Sequence, residues 1–147
     1  MFDAIRPVIM AAAVLSLSSC GKNAEPPHRE TFPVTGEVEV DGSPAADVAV
    51  TFTDVKGFDA KNPILSSAYT DKEGKFKIST FKEGDGVPEG EYVLTFEWCA
   101  RNAFTGVYGG PDKFKGRYND PKISPFKVTV KKGVPNEHLK IGLVTKQ

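Results

Sequence analysis

Apolar and polar residues alternate with a period of two in several short runs along the chain, the pattern of strands buried on one face. The strongest run is 91–98, with Tyr92, Leu94, Phe96 and Trp98 on one face and Glu91, Val93, Thr95 and Glu97 on the other. Upstream, Asp71 and Gly74 bracket a tight turn, after which Phe76 and Ile78 alternate with Lys75, Lys77 and Ser79. Asp suits such a turn because its carboxylate bonds the local backbone, and Gly because it accepts a positive φ. The 70–98 unit is therefore predicted to be hairpin-like and central to a two-layer structure. Val34–Val40 alternates as well, and the Asp41-Gly42-Ser43-Pro44 turn predicts a hairpin with a strand over 46–54. Further strands are predicted over 64–70, 126–131 and 139–144. Seven strands with no convincing amphipathic helix between them predict an all-β, seven-stranded antiparallel β-sandwich. Its expected core is Val38, Val50, Phe52, Phe76, Ile78, Tyr92, Leu94, Phe96, Trp98, Val128 and Ile141.

The first twenty residues follow another pattern. Arg6 precedes an apolar stretch over 8–17, about half the roughly 20 residues that span a bilayer. It ends in Leu17-Ser18-Ser19-Cys20, which resembles the bacterial lipobox: an aliphatic residue, two small ones, then a cysteine whose thiol takes a diacylglycerol. The resemblance implies a signal peptide over 1–19 and lipidation at Cys20. It also implies a lipoprotein exported to the bacterial cell envelope and held on its membrane, facing the periplasm or the surface, by acyl chains of the palmitate type. Each buried methylene contributes about 0.8 kcal/mol, so two or three chains anchor firmly. Residues 20–32 are polar, with Pro26-Pro27 and His28, and read as a tether. The folded domain is predicted to cover 33–147.

Composition narrows the partners. Nineteen basic and nineteen acidic residues cancel, so no global field draws the chain to nucleic acid. With Cys20 lipidated, Cys99 has no partner for an internal disulfide and is expected to be a buried, inert thiol.

The order of motifs is similar to that of transthyretin-like, or carboxypeptidase regulatory-like, domains. Val34-Thr35-Gly36-Glu37-Val38 resembles their opening strand, and Asp41-Gly42-Ser43-Pro44 their first turn. Val48-Ala49-Val50-Thr51-Phe52 follows in place, then Thr70-Asp71-Lys72-Glu73-Gly74-Lys75-Phe76 and Gly90-Glu91-Tyr92-Val93-Leu94. The run from Tyr118-Asn119-Asp120-Pro121 to Val128-Thr129-Val130 is similar to small bacterial lipoproteins carrying this domain. The resemblance spans about 33–145 and implies a structural or binding role without catalysis and without a cofactor.

Candidate chemistry is sparse. Asp71, Glu73 and Asp85 could suggest a calcium loop, but a lysine sits between the first two acids and the spacing is that of a turn. His28 and His138 are far apart, and neither neighbours Tyr108 or Tyr118, so a tyrosine–histidine iron site is not indicated. The C-terminal Val144-Thr145-Lys146-Gln147 lacks the motif of purine-derivative hydrolases in the same superfamily. An enzyme is the least favoured reading. The 101–124 segment stands out, with Phe104, Tyr108, Phe114 and Tyr118 interleaved with five basic residues against Asp112 and Asp120. Long connections of this kind are often functional. Arg101, Tyr108, Lys113, Lys115, Arg117 and Tyr118 are candidates for binding a glycan or an anionic polymer. The alternative is that the rings cap the end of the core. The leading expectation is a membrane-anchored, non-enzymatic interaction module whose partner is an envelope protein or glycan.

Overall fold

The computed structural model describes residues 29–57, 59–60 and 63–146. The signal peptide expected over 1–19, Cys20, His28 and most of the tether expected over 20–32 lie outside the described residues. The described chain is all-β, with no helix. Its strands are β1 (Thr31–Phe32), β2 (Val34–Val40), β3 (Ser43–Pro44), β4 (Ala49–Asp54), β5 (Ser66–Tyr69) and β6 (Lys75–Lys77). They continue with β7 (Val87–Pro88), β8 (Gly90–Glu97), β9 (Ala100–Arg101), β10 (Tyr108–Gly109), β11 (Lys127–Val130) and β12 (Asn136–Leu143).

One four-stranded sheet has the order β11-β8-β4-β5 and is antiparallel throughout. Its register sets Val50 opposite Phe96 and Phe52 opposite Leu94, so two apolar cross-strand pairs share one face. The other sheet has the order β12-β2-β3, with β6 lying beside β3 along the same edge of β2. A mutual pair of backbone hydrogen bonds between Ser67 and Ser79, both 3.1 Å, stitches the two sheets together at one edge. One core cluster draws on both sheets: Val34, Val38 and Val40 of β2, Phe76 of β6, and Ile141 and Leu143 of β12 join Val50, Phe52, Leu94 and Phe96. Burying side chains of this size stabilises the fold by about 1.5–3 kcal/mol each.

Several pairings differ from the sequence reading. β2 and the strand over 46–54 do not form a hairpin. The Asp41-Gly42 turn returns only as far as β3, and the chain then crosses to the other sheet, where β4 begins at Ala49. Thr70 fixes that crossing: its hydroxyl donates to Ala45 O (2.6 Å) and accepts from Val48 N (2.9 Å). The halves of the 70–98 unit are also divided, β6 lying in one sheet and β8 in the other. The sheets are not wholly antiparallel, because β12 runs parallel to β2. The strands number twelve among the described residues rather than seven, five of them two-residue pairings. The Asp71 turn forms as predicted, its Oδ1 accepting from Glu73 N (3.0 Å) and Lys75 N (2.8 Å). Gly74 has φ +73°, and a Cβ there would stand 2.6 Å from Val38 O, so a side chain is excluded twice over.

Faces held better than partners. Trp98 and Val128 are half-buried against the core instead of inside it, while the other nine expected core residues are buried. Val93 and Thr95, assigned to the wet face of β8, are 7% and 8% exposed. β8 is an interior strand, and Thr51, Thr53 and Lys127 flank these two residues in register on the same face.

Candidate functional site

The 98–118 segment sits at the end of the domain where β2 finishes. A shallow groove of about 280 Å³ there is lined by Val40, Ser43, Asp47, Trp98, Arg101 and Lys113, among others. β1 enters at the other end, pairing with β7 immediately before Val34. Seven residues of β2 separate the two ends, roughly 20 Å at the rise of an extended strand.

Asp112 organises the segment. Its Oδ1 accepts hydrogen bonds from Trp98 N (2.8 Å) and Phe114 N (3.0 Å), and its Oδ2 from Gly116 N (2.9 Å). Those bonds turn Phe114 inward, where it is 1% exposed, 5.7 Å from the Trp98 ring and edge-on to Tyr118 at 5.1 Å. Tyr118 also meets Phe126 at 6.2 Å, and its hydroxyl accepts from Val144 N (3.1 Å). Arg117 Nη1 donates to Val144 O (2.9 Å). This half of the segment is a fastening over the core.

The other half projects. β9 and β10 pair as a small hairpin whose tip carries Phe104, fully exposed. Tyr108 stacks flat on Tyr69 of β5 at 3.8 Å and 6°, donates its hydroxyl to Asp47 Oδ1 (2.8 Å), and carries the Arg101 guanidinium 5.9 Å from its ring centre. Burial and then the bond to Asp47 push the Tyr108 phenol above its ordinary pKa, so it stays a neutral donor. Lys113 Nζ lies 3.8 Å above the Trp98 ring, a cation–π contact, and the indole Nε1 donates to Ala46 O (3.0 Å).

The six candidate residues therefore do not converge. Arg101 and Tyr108 form one cluster with Tyr69 and Asp47. Arg117 and Tyr118 form a second at Val144, Lys113 sits on Trp98 in the groove, and Lys115 is exposed on a left-handed turn at φ 56°. Sequence reasoning missed Asp47 and Tyr69. Both lie more than thirty residues from Tyr108, and the only hint was an aromatic at the end of a weak strand. Cys99 is half-buried rather than buried, and its thiol is pushed up by burial and then by Glu97 and Asp112, which disfavours the reactive thiolate. Among the described residues no three His, Cys, Asp or Glu side chains gather as a metal site.

The two tyrosines should separate in a stability measurement. Tyr118→Ala removes a half-buried ring that packs against the core with two aromatic neighbours and should cost about 2 kcal/mol. Tyr108→Ala removes a surface stack and one hydrogen bond and should cost about 1 kcal/mol. Thermal melting of the two variants checks the order; a larger loss for Tyr108→Ala would contradict this division of the segment.

No family model matches the chain, and it has no match among curated proteins or solved structures.

Proposed function

We propose that the protein is an exported lipoprotein whose β-sandwich, of transthyretin-like type, is a non-catalytic interaction module held on the envelope membrane through Cys20. The observation that supports it most is the polarity of the domain. The chain arriving from the tether pairs as β1 at one end, and the aromatic and basic groups of the 98–118 segment lie at the other. An anchor at Cys20 then holds the first end toward the lipid and presents the second to a partner beyond it. The carboxylates singled out in the sequence serve the backbone: Asp71 closes a turn, Asp112 fastens the long segment, and Asp85 accepts from Thr80 N (2.7 Å), Phe81 N (3.0 Å) and Lys82 N (3.0 Å).

Cys20→Ala tests the anchor. The variant should lose all acyl labelling in cells given a radiolabelled fatty acid, and should persist as the uncleaved precursor. A Cys20→Ala protein that is still acylated and processed would overturn the assignment.

A second reading, glycan or anionic-polymer binding by 101–124, is favoured by the Tyr69–Tyr108 stack with Arg101 alongside. It narrows the earlier set of six to Arg101, Tyr108, Lys113 and Lys115, because Arg117 and Tyr118 are committed to Val144.

A further inference from the structure

The outward face of the β12-β2-β6 sheet carries a broad open groove of about 710 Å³, within the range of ligand clefts. Its floor is the β2 backbone at Gly36 beside Phe76. Above it stand Thr35 and Glu37 of β2, Lys75 and Lys77 of β6, and His138 and Lys140 of β12, with Tyr69 and Asp71 at one margin.

The register explains why these groups meet. β2 lies between β6 and β12, with Thr35 opposite Lys77 and Glu37 opposite both Lys75 and Lys140. Three consecutive strands thus lift their polar side chains from one face across roughly 10 Å, two strand spacings. β12 departs from regular pairing at one place. Between Asn136↔Val34 and Leu139↔Gly36 it holds one residue more than β2 does, and within that bulge His138 has φ 66°. A bulge re-aims the side chain it carries; here it brings His138 to the groove, its backbone N–H donating to Thr35 Oγ1 (3.3 Å).

The charges are unevenly matched. Glu37 pairs with Lys140 at 3.1 Å, and Asp71 Oδ1 is held by two backbone amides. Among the described residues the ion pairs are Lys132–Glu30 and Lys140–Glu37, so Lys75 and Lys77 belong to neither. Their Cα atoms stand two residues apart on one face, roughly 7 Å, and the Lys77 side chain lies along Gly84. Cations set in a row suit a ligand with repeated negative charges better than a single compact anion. Tyr69, 49% exposed, adds a ring at the margin against which a sugar can pack.

We propose that this face binds an acidic oligosaccharide, with Lys75, Lys77 and His138 meeting its carboxylates and Tyr69 one sugar ring. The site is separate from the 98–118 segment, although the Tyr69–Tyr108 stack joins their margins, and it does not depend on the anchor at Cys20.

The test is calorimetric titration of the purified full-length protein with a galacturonate hexamer. Maltohexaose serves as the neutral control and inorganic polyphosphate as the charge-only control. Saturable binding of the hexamer is expected, weakening as salt rises, with both controls bound at least tenfold more weakly. Lys75→Gln/Lys77→Gln should weaken binding at least tenfold, and His138→Asn, which keeps a residue tolerant of positive φ, several-fold. Lys56→Gln/Lys131→Gln, exposed lysines outside both clusters, should leave it unchanged. Equal binding of maltohexaose or polyphosphate would overturn the acidic-sugar assignment. So would an absence of saturable binding, or loss on the Lys56/Lys131 changes while the Lys75/Lys77 variant binds normally. All of the substituted residues are exposed, and melting curves within a few degrees of the parent would show that each variant is folded.

Discussion

Phe96→Ala is expected to cost about 3–5 kcal/mol, the range for emptying a fully buried phenylalanine site. Phe96 is 0% exposed on the interior strand β8, opposite Val50 and edge-on to Phe126 at 5.2 Å. Its neighbours belong to β4 and to the segment leading into β11, both hydrogen-bonded along β8, so they are poorly placed to collapse into the void. A domain of this size would lose on the order of 10–20 °C in melting temperature. A shift of only a few degrees would mean that the face of β8 carrying Tyr92, Leu94 and Phe96 is not the one enclosed by the two sheets.

Phe114→Ala is expected to act as strongly on stability, again about 3–5 kcal/mol, but with a local signature. Phe114 is the one ring of the 101–124 segment in the fully buried set, and it packs against Trp98, the only tryptophan in the chain. Removing it should loosen the turn fastened by Asp112 and free the indole from Lys113. The intrinsic fluorescence should then shift to the red, and a protease should cut near 113–117 sooner than elsewhere. If the emission were unchanged and cutting uniform, the segment would not be docked through Phe114.

What could be read from the sequence was which residues face inward, and not which strands meet. Alternation is a property of one strand and its two faces, so Val38, Val50, Phe76 and Leu94 could be assigned without knowing their neighbours. Partner choice depends on where the chain crosses between sheets. The crossing at Ala45–Val48 is held by the Thr70 hydroxyl, twenty-five residues from Ala45. No local pattern announces that bond, and the Asp-Gly turn before it favours the hairpin that does not form. Val93 and Thr95 misled for a related reason: position inside a sheet buries both faces, and the sequence does not say which strand is interior. In the 101–124 segment the choice between lid and binding surface was left open, and the segment divides. Asp112 draws Phe114 and Tyr118 down, while Tyr108 goes to a partner contributed by β5. The groove on the outer sheet face was not visible, because Lys75, Lys77 and His138 alternate as any solvated strand residues would, and the bulge at His138 has no composition of its own.

The parallel pairing of β2 with β12 sets the order in which the molecule can assemble. The contact from His138 to Thr35 spans 103 residues, and β12 supplies Ile141 and Leu143 to the core beside Val38 and Val40. Until β12 has been synthesised, β2 keeps one unpaired edge and the core one open side. The Asp71 turn and the β11-β8-β4-β5 sheet contain no residue of β12 and can form before it. Closure of so long a loop must precede the contacts that reward it, which slows folding. A chain lacking its last dozen residues should remain soft and easily digested throughout, since the strand laid down last completes the sheet begun by the first long one.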